Sequence, residues 1–191
     1  SSHAAVLDGR PYLQFPADVY LEGNDQYRGW FQSSMLTSIA TKGVAPYKTV
    51  ITHGMIVDEE RQKMSKSLGN GIAPDDILKE YGADVMRLWV ASADYRQVMR
   101  ISKDMLKHLS QNYLKIRNTA RYILGNLAGF DPKADMVAYD RLPELDRWAL
   151  MKLNELTAKV RRGYDAYEFH TVFHAIHNFC VVDMSNFYLD V

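Results

Sequence analysis

The segment "RQKMSKSLGNG" (61–71) gathers Arg61, Lys63 and Lys66 with the hydroxyls of Ser65 and Ser67, directly ahead of Gly69, Asn70 and Gly71. Lysine is a compact cation on a flexible stem, suited to a phosphate oxygen but without arginine's planar fork. Glycine and asparagine after it favour turns and tolerate positive φ, which supplies a hinge. Two readings follow from the residues alone. One is a mobile cationic loop that closes on a polyphosphate; the other is a solvated basic loop, the usual fate of a charge run. The chain carries no Walker-type glycine loop to take the anion instead.

A second segment, "LEGNDQYRGWF" (21–31), follows a short apolar run and precedes a helical pattern. In a parallel sheet, ligands bind beyond the carboxyl ends of the strands, and Glu22 to Gln26 take that position. A carboxylate there can accept hydrogen bonds from ribose hydroxyls or from an ammonium group. The free N–H groups of the next helix favour anions. The plainer alternative is that Asn24 or Asp25 only caps the helix. Trp30 likewise reads as core filler or as the wall of a pocket.

The three histidines His170, His174 and His177 recur at helical spacing, which resembles a metal-binding face. No cysteine and few carboxylates join them, so they are read as helix-surface or core histidines, with no metal site. The pattern over 102–128 carries Lys103, Lys107, Lys115, Arg117 and Arg121 against a single acid, Asp104. At ~100° per residue, Lys103, Lys107, Arg117 and Arg121 fall within about 40° of one line. That stripe either contacts nucleic-acid phosphates or is a solvated face. Leu109, Ile116, Ile123 and Leu127 lie on another face and are expected to be buried.

These residues need elements to hold them. "DVYLEG" (18–23) and "KTVITHG" (48–54) are brief apolar runs ending in glycine, as buried parallel strands do. Between them Phe31, Met35, Leu36 and Ile39 trace a helix that stops at Gly43. Strand, helix, strand predicts part of a parallel α/β sheet. Beyond Ser102 the pattern is helical: 102–128, 144–162 and 167–190, the last with Phe169, Val172, Phe173, Ile176, Phe179 and Cys180 inward. Short connections favour an antiparallel bundle. Residues 72–101, with Pro74 near a helix start and Gly82 at its end, form a junction.

The 191 residues hold 23 basic and 23 acidic side chains, so any nucleic-acid contact has to come from a local patch, not from net charge. The lone Cys180 excludes an intrachain disulfide and suits a reducing compartment, the cytoplasm. The sequence shows neither a signal-peptide pattern nor an apolar run long enough for a membrane span. Both ends read as cut, as in an internal piece of a longer protein.

"KMSKSLGN" resembles the signature loop of the class I aminoacyl-tRNA synthetases, and "LEGNDQYRGWF" resembles their isoleucyl branch rather than the valyl or leucyl ones. "NYLKIRNTARYILGNL" and "MSNFYLD" resemble that branch's helical domain, so the likeness covers nearly the whole chain. It implies the C-terminal part of a Rossmann-like nucleotide-binding catalytic domain (1–101), joined to the N-terminal part of a helical tRNA- and anticodon-binding domain (102–191). The implied activity joins isoleucine to ATP and transfers the acyl group to tRNA(Ile). Mg²⁺ accompanies the nucleotide, no zinc site lies within this stretch, and the parent protein is monomeric.

The resemblance also implies roles. Glu22, Gly23, Asp25 and Gln26 match positions that hold the aminoacyl-adenylate, and Trp30 a wall of the isoleucine side-chain pocket. His53 and Gly54 match the adenine position. Lys63, Ser65 and Lys66 match the ATP site, with the two lysines on the phosphates. Lys103, Lys107, Arg117 and Arg121 fall in the tRNA-contacting domain. The family's His-x-Gly-His element, its editing insertion and its zinc segment are absent from these residues. The chain alone is therefore expected to be inactive, with residues 61–71 mobile. A non-catalytic RNA-binding module is the alternative from another class, and it has no use for Glu22, Gln26 or the lysine loop.

Overall fold

The computed structural model describes residues 6–7, 9–65 and 67–190. They pack as two units, one of residues up to Val57 with Tyr95–Met99, the other of Asp58–Asp94 with the residues from Arg100 onward. The helices Pro74–Tyr81 and Ala83–Ser92, expected in a junction before residue 102, thus pack with the helical part.

In the first unit, strand β1 (Ala17–Gly23) leads through a 3-10 turn (Asn24–Arg28) into helix α1 (Trp30–Lys42), which returns to strand β2 (Tyr47–His53). β1 and β2 run parallel, in a register from Ala17 opposite Tyr47 to Gly23 opposite His53. This is the expected strand–helix–strand unit. A two-residue strand, β3 (Ile56–Val57), pairs with β4 (Met99–Arg100), and the Met99 N–H donates to the Met55 carbonyl.

The strands are less buried than expected. In β1 only Tyr20 and Gly23 are buried, while Val19 and Leu21 are exposed. Alternate side chains of a strand point to opposite faces; Tyr20 meets α1, and Leu21, one position on, is left 57% exposed. The helix pattern is corrected as well. Phe31, Ser34 and Ser38 are the buried positions of α1, whereas Leu36 and Ile39 face outward. The hydroxyls of the buried serines find partners: Ser34 Oγ lies 3.0 Å from the Tyr20 hydroxyl, and Ser38 Oγ donates to the Val44 carbonyl at 2.8 Å.

The second unit contains α2 (Pro74–Tyr81), α3 (Ala83–Ser92), α4 (Lys103–Gly125), α5 (Glu144–Asp165) and α6 (Phe169–Asn178), which continues as a π-helical segment, Phe179–Tyr188. Pro74 opens α2 at its first helical position, where a missing N–H costs nothing. Ser102 caps α4, its Oγ accepting from the Met105 N–H at 3.3 Å. The core holds Ile77, Val85, Trp89, Leu106, Leu109, Ala149, Val172, Phe173 and Met184. Widening of the last helix after Asn178 was not legible in the apolar spacing.

The inner face proposed for α4 is right only for its first half. Leu109 is buried and Ile116 half-buried, but Ile123 and Leu127 are exposed. At ~1.5 Å per residue, the 23-residue α4 outruns the ten-residue α3; α6 and its π-helical continuation also pack against it, the Thr119 hydroxyl donating to the Cys180 carbonyl at 3.3 Å. Residues 120–141 are exposed throughout. Among the described residues no helix is long and apolar enough to cross a membrane.

Candidate functional site

The parallel register delivers the C-terminal ends of β1 and β2 to one edge, with Gly23 beside His53. A Cβ on Gly23 would stand 2.5 Å from Asp25 Oδ1 and 3.6 Å from His53 Cε1. The missing side chain therefore lets the Asp25 carboxylate fold back over the strand end, next to the imidazole. Glu22 and Asp25 are exposed and Gln26 is half-buried. Of the residues foreseen for one ligand, Gly23, Asp25, Gln26 and His53 are gathered here with the backbone of Glu22.

The helix start is capped neither by Asn24 nor by Asp25. Gln26 does it: its Oε1 accepts from the Trp30 N–H at 3.0 Å, and its Nε2 donates to Asp25 Oδ2 at 3.2 Å. One amide thus satisfies an orphan helix donor and steadies a carboxylate. Trp30 is half-buried and stacks on Tyr20, with ring centroids 4.4 Å apart and planes 11° from parallel. Tyr47 packs on Tyr20 at 4.7 Å, and burial, then the phenols of Tyr20 and Tyr27, push its hydroxyl up from the ordinary tyrosine value. The indole therefore has a packing partner and an accessible remainder, so the two roles weighed for it do not compete.

Gly54 has a structural duty of its own. Its N–H donates to the Tyr95 carbonyl at 2.8 Å, and a Cβ would collide with the backbone carbonyl of Gln97. Glycine is required there by the 95–99 segment alone. His53 Nδ1 lies 2.9 Å from the Gly54 carbonyl, an acceptor, so Nδ1 carries the proton and Nε2 is left as an acceptor.

The cationic loop lies in the second unit. Lys66 falls outside the described residues; Lys63 is exposed and Ser65 half-buried. Polar groups order what is described. Asn70 Oδ1 accepts from the Ser65 N–H at 2.9 Å, and its Nδ2 donates to Asp58 Oδ2 at 2.7 Å and to the Lys63 carbonyl at 3.3 Å. Asp58 Oδ1 accepts from the Gln62 N–H at 2.6 Å, and Ser65 Oγ lies 3.1 Å from Ser67 Oγ. Sequence spacing missed this role: Asn70 looked like a hinge residue, and nothing local pointed to Asp58, twelve positions away.

Lys103, Lys107, Arg117 and Arg121 are all exposed on α4. The stripe is not uniform, because Lys103 lines a cleft of about 450 Å³ with Asp58, Glu59, Glu60 and Asp104. Acids around Lys103 offset its charge, which leaves the cationic field to the later members. Two histidines of α6 pack on one ring: His177 stacks on Phe173 at 6.1 Å and His174 meets the same ring edge-on at 5.3 Å. Burial, then Lys115 and His174, hold the His177 imidazole below its ordinary pKa. Among the described residues no group of three His, Cys, Asp or Glu is placed to hold a metal ion.

Comparison with known proteins places these features among relatives. Residues 2–102 match the family of tRNA synthetases class I (I, L, M and V), and residues 146–191 the anticodon-binding domain of tRNA ligase. The whole chain is 62% identical to an isoleucine–tRNA ligase of Syntrophotalea carbinolica and 60% identical to one of Caldicellulosiruptor bescii, covering 20% and 21% of those proteins. It thus spans about a fifth of the length of the curated relatives it matches. A leucyl enzyme (LeuRS) of Agrobacterium radiobacter K84, solved in a ternary complex with tRNA and LeuAMS, superposes with a TM-score of 0.74 at 20% identity, over 90% of this chain and 23% of that one.

Proposed function

Because the chain belongs to the tRNA synthetases of class I that comprise the I, L, M and V enzymes, we propose that it is the part of an isoleucine–tRNA ligase that holds the adenylate, carries the lysine loop and begins the tRNA-binding helices. The observation that carries the reading is the end-to-end match at 62% identity to an isoleucine ligase, which takes in both the strand-end segment and the loop. The leucyl enzyme shares the fold, with a TM-score of 0.74, but only 20% of the sequence.

In this reading residues 1–101 belong to a Rossmann-like catalytic domain and 102–191 to an antiparallel helical tRNA-binding bundle. The parallel β1–α1–β2 unit and the family boundary at residue 102 support that division. The protein works in the reducing cytoplasm as a monomer, with isoleucine, ATP and tRNA(Ile) as its substrates.

An isoleucine carboxylate oxygen attacks the α-phosphorus of ATP; the P–O bond to pyrophosphate breaks, and the electron pair leaves with it. Asp25 and Glu22 offer carboxylates to the ammonium group or ribose hydroxyls of the adenylate. Trp30 lines the side-chain pocket, and His53 and Gly54 lie under the adenine. Lys63 and Lys66 stabilise charge developing on the phosphates, a contribution typically worth ~3–4 kcal/mol. A terminal tRNA hydroxyl then attacks the acyl carbon, the acyl–phosphate bond breaks, and AMP leaves. Mg²⁺, when bound with the nucleotide, would neutralise phosphate charge.

Pyrophosphate exchange in the whole ligase tests this. Lys66→Ala should slow adenylate formation by about a hundredfold or more with little change in stability. An unchanged rate would remove the loop from the chemistry.

A further inference from the structure

Asn70 is set among three backbone and side-chain groups whose polarities suit only one orientation of its amide. The Ser65 N–H can only donate, and Oδ1 receives it at 2.9 Å. The Lys63 carbonyl and the ionised Asp58 carboxylate can only accept, and Nδ2 serves both, at 3.3 and 2.7 Å. A flipped amide would put oxygen against two acceptors and nitrogen against a donor. Asp58 is itself fixed by the Gln62 N–H at 2.6 Å, and its backbone closes the turn below, with Asp58 N–H to the Gln62 carbonyl at 3.0 Å. The bond to the carboxylate is the charge-assisted member of the set and the strongest of the three.

The two backbone groups that Asn70 holds belong to Lys63, placed above on the nucleotide phosphates, and Ser65, matched above to the ATP site. We infer that Asn70 is a positioning residue of the lysine loop, and that Asp58 orients it: the Asp58 carboxylate fixes the Asn70 amide, which fixes the backbone from which Lys63 and Ser65 reach the polyphosphate. The inference rests on the function proposed above. Asn70 touches no reacting atom in this account. It acts through the backbone course, where a small displacement of a phosphate-binding cation is costly to the rate.

The arrangement makes a distinctive demand on substitutions. Asn70→Asp keeps the shape but sets a second carboxylate against Asp58 and loses both donors. Exchanging the pair, Asp58→Asn with Asn70→Asp, restores one amide–carboxylate bond in the opposite sense and leaves the net charge unchanged. A residue that merely fills space has no reason to be rescued by that exchange.

The test has two arms. In the whole ligase, amide hydrogen exchange at Ser65 should quicken about tenfold in Asn70→Ala, which removes its acceptor, less in Asn70→Asp, which keeps an oxygen there but sets it against Asp58, and slow again in the exchanged pair. In the whole ligase, pyrophosphate exchange should show KM for ATP raised several-fold and kcat lowered in both single variants, while KM for isoleucine stays put; the exchanged pair should recover much of the loss. Unchanged Ser65 exchange in Asn70→Ala would overturn the inference, whatever the loop does in catalysis. Quickened exchange with unchanged ATP kinetics would overturn the positioning role. If Lys66→Ala is also without effect, the fault lies instead with the phosphate-binding reading of the loop. Failure of the exchanged pair to recover either quantity would overturn the pairing of Asp58 with Asn70.

Discussion

Gln26 carries two duties that a pair of substitutions can separate. Its Oε1 caps α1 at the Trp30 N–H, 3.0 Å away, and its amide nitrogen lies 3.2 Å from Asp25 at the end of β1. Gln26→Ala removes the cap and leaves the Trp30 N–H, which is part-buried, without its partner. Loss of a helix cap costs ~1 kcal/mol; the exposed bond to Asp25 adds little. In a unit as small as the first one, that corresponds to a fall in Tm of about 4–8 °C. It also corresponds to roughly fivefold faster exchange of the Trp30 amide hydrogen.

Gln26→Glu keeps an acceptor oxygen at the same place. A negative charge at a helix N-terminus gains about 0.3–1 kcal/mol, which offsets repulsion from the exposed Asp25. Stability should therefore stay near the starting value, within about 2 °C. The donor is nevertheless gone. If the Gln26 amide also meets the adenylate, Gln26→Glu loses affinity for an isoleucyl-adenylate analogue while the fold is unharmed. Thermal unfolding and Trp30 amide exchange read the first duty, and isothermal titration of the whole ligase reads the second. An equal loss of stability in Gln26→Glu and Gln26→Ala would refute the cap argument, since the acceptor oxygen would then not be what matters.

Further outcomes follow from the same geometry. Trp30→Ala should weaken isoleucine binding far more than ATP binding in titrations of the whole ligase; equal losses for both, or a collapsed unfolding transition, would make the stack on Tyr20 its entire role. Charge reversal at Arg117 and Arg121 should weaken tRNA binding and lower the slope of log affinity against log salt by about one for each lost phosphate contact, with tRNA-independent activation untouched. His177 has a lowered pKa in the folded chain, so below the ordinary histidine value of 6.5 the unfolded chain binds more protons and stability falls with pH. That loss should begin as pH drops through the ordinary value and end below the folded one. His177→Phe, which keeps the aromatic contact with Phe173, should flatten the acid side of the Tm profile below the ordinary histidine value.

Periodicity and punctuation, read along the chain, determined the order of strand, helix and strand, the stop at Gly43 and the start at Pro74, because each depends on residues within a turn or two of one another. The motifs likewise announced which residue types stand at the strand end and in the loop. Tertiary packing decided which face of α1 is buried: apolar spacing favoured Leu36 and Ile39, yet Ser34 and Ser38 are the buried positions, where their hydroxyls find partners on β1 and the following turn. It also decided where α4 is covered, which depends on the elements packed against it, α3, α6 and the π-helical segment, rather than on the pattern in α4 itself. The helix cap passed to Gln26 and the hold on the lysine loop to Asp58 and Asn70 for a related reason. A side-chain hydrogen bond is set by the direction in which a folded backbone presents its donors and acceptors, and residue type and spacing do not encode that direction.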